Sequence, residues 1–214
     1  MLKAESVIGY EFSDKDLLIT ALTHGSYLNT HRGQSYERLE FLGDALLDML
    51  IAERLLRQYP SYPEGRLSKM RAGMVCEQAL CSFANRVGIT ELILHDKSVA
   101  KAPLSSSIAA DVVEAIVAAI YLDGGFDRVK AWVEKNITEK DAFVDHKTTL
   151  QEILAKAGNH PPVYTDVGAE GPAHARVFIM SVSVDGVLMG TGRGKTKKEA
   201  EQEAAMHAIK KLGN

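Results

Sequence analysis

Long hydrophobic runs are absent from this chain. No stretch approaches the roughly 18 apolar residues of a membrane span, and the opening MLKAESVIGYEFSDKD has no apolar segment ahead of a small-residue cleavage site. The expectation is therefore a cytoplasmic protein. Cysteine is scarce as well: Cys76 and Cys81 lie five apart in a helical-looking stretch, where side chains at i and i+5 point in different directions. That argues against a disulfide framework and for reduced, structural thiols. A basic excess is also missing, for the net charge is −3, which taken alone speaks against a nucleic-acid partner. Internal repeats and low-complexity segments are not found.

What is present is enough to bury a core: 46% of the 214 residues are hydrophobic, a length that suits one large domain or two small ones. The charges are unevenly spread. From Asp145 onward there are nine basic and eight acidic residues, whereas the part before it carries 16 basic and 20 acidic ones. Acidic residues concentrated in the first part suit a metal site better than phosphate binding.

Up to about Phe143 the pattern is helical throughout. Ser13 is expected to cap a helix before Asp16, and a long amphipathic helix is expected from about Tyr36 to Gln58, ended by Pro60 and Pro63. Residues from Glu64 to about Val87 read as one or two further helices closed by Gly88. Ser105 to Ser107 offer an N-cap for a helix that stops at Gly124-Gly125, and another helix follows around Arg128 to Asn136. The polar stretch TEKDAFVDHK is the expected boundary between domains 1–143 and 145–214. Beyond it, Lys147 to Ala157 reads as a short helix. Phe178, Met180, Val182 and Val184 alternate as in a half-buried strand, and Asp185-Gly186 turns the chain into a second strand, Val187 to Arg193. Thr196 and Glu199 form a capping box ahead of a helix running to Leu212. The expected fold is an all-α domain followed by a small α+β domain of order α-β-β-β-α.

The segment Glu37-Arg38-Leu39-Glu40-Phe41-Leu42-Gly43-Asp44 carries the most specific pattern. On a helix Glu37, Glu40 and Asp44 fall on one face as an acidic stripe, and like charges at that spacing destabilise an isolated helix by a few tenths of a kcal/mol per pair. A cation at the stripe would offset the repulsion. Gly43, which costs about 1 kcal/mol relative to Ala in mid-helix, marks close helix packing. A second pair, Asp111 and Glu114, repeats the i, i+3 spacing on the otherwise apolar helix SIAADVVEAIVAAIYLDGG, where unpaired carboxylates are expensive to bury. Glu40, Asp44, Asp111 and Glu114 together would make an oxygen-rich site suited to Mg²⁺ and to metal-assisted phosphodiester hydrolysis. Spacing alone leaves open the alternative that these are solvated helix faces.

ERLEFLGD, with ALTHGS upstream at Ala21 to Ser26 and AADVVEAIVAAIYLDGG downstream, resembles the ribonuclease III family in order and spacing. The resemblance implies an endonuclease that cuts double-stranded RNA as a homodimer. Glu40, Asp44, Asp111 and Glu114 would be its Mg²⁺ site, with Mn²⁺ able to substitute, and Asp44 and Glu114 would be its catalytic centre. It also implies secondary acidic positions at Glu37 and Glu64, serving the RNA cleft or the dimer interface, and products with 5′-phosphate and 3′-hydroxyl ends and a short 3′ overhang. Processing of ribosomal and other structured RNA precursors is the implied role. The chain departs from the family at Ala45, where many members have Ser, and in LHDKSVAKAPLSSSIAAD, which lacks the glycine-rich elements common there.

The resemblance extends through the tail. Lys147 to Glu152, Gly171 to His174 and Lys195 to Ala200 look like the three contact regions of a double-stranded-RNA-binding domain. A reader of A-form RNA needs two minor-groove probes and a phosphate clamp, because base edges are hidden in the deep major groove. Gln151 and Glu152 would meet 2′-hydroxyls, His174 would reach the next minor groove, and Lys195, Lys197 and Lys198 would hold phosphates at a helix N-terminus. Gly192 and Gly194 are expected to let the backbone approach the RNA. Trp132 reads as core or a dimer contact. The rival reading is a catalytically idle double-stranded-RNA-binding protein.

Overall fold

Helices of 7 to 22 residues separated by caps and short turns build the first part of the chain. In the computed structural model, which describes residues 2–96, 105–172 and 175–213, these are α1 (Leu2–Ile8), α2 (Lys15–Leu22), α3 (Glu37–Gln58), α4 (Glu64–Val75), α5 (Glu77–Val87), α6 (Ser106–Gly124) and α7 (Phe126–Asn136). Ser105 caps α6 through its hydroxyl, which accepts from the Ile108 N–H. Gly88 ends α5 in the left-handed region at φ 87°, where a side chain would be strained. The helical stretch from Glu64 to Val87 is broken at Cys76, whose extended backbone separates α4 from α5. Both cysteines are free thiols.

The cap of α2 differs from expectation. Asp14, not Ser13, accepts the Asp16 N–H, and Asp123 at the end of α6 accepts the backbone N–H groups of Ser13 and Asp14 at 3.1 and 2.7 Å. Both residues are good caps by local propensity, and the helix starts one residue later than a Ser13 cap would set it.

α6 is the central element of this unit. Val112, Val113, Ala115, Ile116, Val117, Ala118, Ala119 and Ile120 are all fully buried, and α3, α5, α2 and α7 pack around them. Trp132 belongs to the same core: it meets Phe83 edge-on and its indole N–H donates to the Ile8 carbonyl at 2.8 Å. No helix among the described residues is long and apolar enough to cross a membrane.

The chain divides into two units, Met1–Phe143 and Val144–Asn214. The second holds α8 (His146–Lys156), β1 (Val163–Glu170), β2 (Val177–Val184), β3 (Val187–Gly194) and α9 (Lys197–Leu212). The strands form an antiparallel sheet in the order β1-β2-β3. Asp185 and Gly186 both have positive φ, 51° and 77°, as a tight hairpin turn matched to strand twist requires. Leu150, Leu154, Val182, Val184, Ala204 and Ala205 form a core separate from the first.

Alanines on α9 meet glycines on β3. A Cβ at Gly190, Gly192 or Gly194 would lie 2.4, 2.2 or 2.6 Å from the backbone of Ala204, Ala200 and Ala200 respectively. The expectation that Gly192 and Gly194 open the backbone to RNA is therefore corrected. They let α9 sit directly on the strand.

Candidate active site and RNA-binding elements

Glu40 lies one turn into α3, and Asp111 and Glu114 lie one turn apart on α6, the helix against which α3 packs. Gly43 allows the close crossing: a Cβ there would be 1.9 Å from the Glu114 carbonyl oxygen. As a result one carboxylate oxygen from each of Glu40, Asp111 and Glu114 lies within 4.8 Å of the other two. All three side chains are half-buried.

Such an arrangement is electrostatically unfavourable without a cation. Burial first, and then the charges of Asp44, Asp111, Glu40 and Asp48, push the Glu114 carboxyl up to about 8. Glu40 is raised by burial and by Asp111, Glu37 and Asp44. Asp111 is also raised, chiefly by burial and further by the charge of Glu77, against the lowering effect of a hydrogen bond from Tyr36. Carboxylate oxygens in this number and proximity fit a hard divalent cation completed by water.

The other acidic residues occupy different positions. Asp44 is exposed one turn after Glu40; its charge reaches Glu40 and Glu114, but its carboxylate lies outside the three-oxygen group. Glu37 is exposed and accepts the Ser35 hydroxyl at 2.5 Å. Glu64, in the first turn of α4, accepts the Ser68 hydroxyl at 2.6 Å and lines a 410 Å³ groove with Met49, Leu56 and Leu67. Asp48 is partly covered and faces Arg71 at 3.6 Å. His24 caps the short turn Gly25–Asn29 by accepting the Ser26 N–H.

Two residues beside the acidic group carried no chemical signal in the sequence. Tyr36, immediately before α3, donates its hydroxyl to Asp111 Oδ2 at 3.2 Å. Glu77, in the first turn of α5, accepts the Ser106 hydroxyl at the start of α6. An aromatic next to an acidic stripe reads as core, and a glutamate in a first helical turn reads as a dipole partner.

In the second unit Gln151 is exposed on α8 and Glu152 is half-buried on the same helix; His174 lies outside the described residues. Lys195, Lys197 and Lys198 are exposed at the start of α9, which Thr196 caps by accepting the Glu199 N–H. The reciprocal half of the capping box is shifted by one residue, since the Glu199 carboxylate accepts from the Lys195 N–H at 2.9 Å. Lys197 is engaged with Asp166 of β1 at 2.7 Å. The pair lies on the surface, screened by water and salt, so a phosphate can displace it.

Residues 14–141 match the family described as Ribonuclease-III-like, and residues 146–212 match the double-stranded RNA binding motif. The chain is 44% identical to Ribonuclease 3 of Clostridium acetobutylicum over 220 residues, which covers 98% of this chain and 96% of that one. It is 41% identical to Ribonuclease 3 of Bacillus cereus over 216 residues, covering 96% and 88%. Among solved structures, the nuclease domain of ribonuclease III from Campylobacter jejuni aligns with a TM-score of 0.60 at 40% identity, over 65% of this chain and 96% of that one. Dicer of Giardia aligns with a TM-score of 0.52 at 28% identity, over 67% of this chain and 20% of its own.

Proposed function

The chain belongs to the ribonuclease III family, and from that premise we propose that it is a Mg²⁺-dependent endoribonuclease that cuts double-stranded RNA. The observation that carries this reading is the convergence of Glu40, Asp111 and Glu114 from two packed helices, beside the exposed charge of Asp44. These residues would hold the metal, for which Mn²⁺ can substitute. When bound, the metal supplies activation of an attacking water and neutralisation of the leaving 3′ oxygen. Glu40, Asp111 and Glu114 orient the site from a rigid helix pair. Asp44, open to solvent, adds negative charge that increases its demand for a cation. The products would carry 5′-phosphate and 3′-hydroxyl ends with a short 3′ overhang, and structured RNA precursors in the cytoplasm would be the substrates. A nuclease assay on a long RNA duplex, with Mg²⁺ and with EDTA, tests the reading. Binding without metal-dependent cleavage would establish the idle RNA-binding alternative instead.

Duplex binding would fall to the second unit, with Gln151, Glu152 and His174 at minor grooves and Lys195, Lys197 and Lys198 on phosphates. Removing a lysine that neutralises one phosphate should flatten the slope of log K against log salt by on the order of 0.9, the value for duplex DNA. Replacing both Lys197 and Lys198 with Ala is expected to weaken binding to every duplex alike in Ca²⁺, with a slope reduced by roughly one to two units. An unchanged slope would place the phosphate clamp elsewhere.

The active form would be a homodimer. Phe41 is 83% exposed on α3, and its neighbour Leu42 lines a cleft of 790 Å³ of mixed character, with Ile19 and Leu122 beside Asp16, Arg32 and Arg38. Exposed Phe41, Ile19 and Leu122 with polar groups around the cleft have the character of an interaction surface, apolar groups rimmed by polar ones. A two-fold interface would use both twice, and the Campylobacter jejuni structure is described in terms of a region involved in dimer formation. Burying one Phe contributes roughly 1.5–3 kcal/mol. Phe41→Lys, acting at two symmetric sites, is therefore expected to weaken dimerisation by on the order of 100-fold or more. Sedimentation of that variant as a dimer at the parent's affinity would refute the interface.

A further inference from the structure

Tyr36 is held at three points that connect the two helices of the acidic group. Its N–H donates to the Thr23 carbonyl at 2.9 Å, its own carbonyl accepts the Glu40 N–H at 2.9 Å, and its hydroxyl donates to Asp111 Oδ2 at 3.2 Å. The side chain is buried, with 4% of the residue exposed, so the ring cannot swing away without opening the core. One residue thus places the backbone of Glu40 on α3 and orients the carboxylate of Asp111 on α6. A carboxylate with one oxygen already hydrogen-bonded presents the other in a defined direction, as partners of metal-ligating carboxylates commonly arrange.

We propose that Tyr36 is a positioning residue for the metal site: its hydroxyl holds Asp111 in the orientation that lets Asp111, Glu40 and Glu114 bind one divalent cation. The proposal rests on the metal-site reading above. Alone, the buried ring would need only a hydrophobic partner. The hydroxyl is the part that reaches the acidic group, and Phe supplies the ring without it.

The test is Mn²⁺ binding by the full chain without RNA, followed by the electron paramagnetic resonance of free Mn²⁺, for the parent, Tyr36→Phe and Glu114→Gln. Tyr36→Phe is expected to bind Mn²⁺ about tenfold more weakly, the lower end of what loss of a ligand's hydrogen-bond partner causes. Its duplex-RNA affinity in Ca²⁺ should match the parent's, and higher Mg²⁺ should recover much of its cleavage rate. A near-UV tyrosine difference band on adding Mg²⁺ to the parent, missing from Tyr36→Phe, is the spectroscopic counterpart. Unchanged Mn²⁺ affinity in Tyr36→Phe, where Glu114→Gln has lost binding, overturns the positioning role alone. An isotherm that Glu114→Gln also leaves unchanged overturns the metal site and the positioning role together. Should Tyr36→Phe fail to fold, absence of the tyrosine band in the parent still refutes the proposal.

Discussion

Replacing Glu114 with Gln is expected to slow cleavage of a long RNA duplex by on the order of 10³-fold at saturating Mg²⁺, equivalent to about 4 kcal/mol of transition-state stabilisation. The substitution preserves volume and removes one ligand charge from the group that Glu40, Asp111 and Glu114 form. Duplex binding measured in Ca²⁺ should be unaffected, because the reading elements lie in the other unit. Cleavage within a few-fold of the parent would mean that the site is misplaced.

The same substitution has a signature in metal-free stability. The folded-state value of Glu114 stands at about 8 against an ordinary 4.5, raised first by burial and then by Asp44, Asp111, Glu40 and Asp48. Between those two values the folded state binds more protons than the unfolded one, so stability falls as pH rises through the window and levels off above it. Allowing for the partial exposure of Glu114, the loss is on the order of 1–3 kcal/mol. Metal-free thermal melts should therefore show the parent losing stability from pH 5 to pH 8.5 and Glu114→Gln losing distinctly less. Mg²⁺ should stabilise the parent more at pH 8.5 than at pH 6, where it must compete with a proton. Parallel pH profiles for the two proteins would show that Glu114 does not titrate as described.

Gly43→Ala is the second substitution with a large expected effect, and its sign is informative. In an unobstructed helix it would stabilise by about 1 kcal/mol through helix propensity. Here the new Cβ would stand 1.9 Å from the Glu114 carbonyl oxygen and 2.4 Å from its carbonyl carbon. The obstacle is backbone, not a flexible side-chain end, so α3 and α6 must separate. Overpacking of this kind costs about 1–3 kcal/mol and more where backbone must move; the upper end exceeds the propensity gain. A Tm lower by roughly 5–10 °C is expected. Mn²⁺ affinity should fall as well, because the separation draws Glu40 away from Asp111 and Glu114. A Tm at or above the parent's would refute the close crossing.

How much of this was legible in the sequence follows from the range of the forces involved. Helix periodicity, the Ser105 and Thr196 caps, the Gly88 stop and the Asp185-Gly186 turn are set within a few residues, and the structure has them where the pattern put them. β1 has no such local mark: its residues are largely exposed and a bulge between Asp166 and Gly168 interrupts its register, so no apolar alternation locates it. Asp14 caps α2 in place of Ser13, and Asp123, more than a hundred residues away, holds the amides of both, a contact that no local pattern encodes.

The sequence by itself determined that two helices carry carboxylates at i, i+3 spacing, that one of them has a glycine in mid-helix, and that a basic helix start follows a hairpin. Only tertiary structure decided which carboxylates meet. The stripe of Glu37, Glu40 and Asp44 supplied one member to the three-oxygen group, and α6 supplied two. Spacing defines a helix face but not the point on that face where a second helix crosses. That crossing was decided by Gly43 against the Glu114 backbone, which leaves Glu40 inside the contact and Glu37 and Asp44 exposed on either side. Tertiary packing likewise turned the glycines of β3 toward α9 and brought the Tyr36 hydroxyl to Asp111, 75 residues away, through contacts that no local pattern encodes.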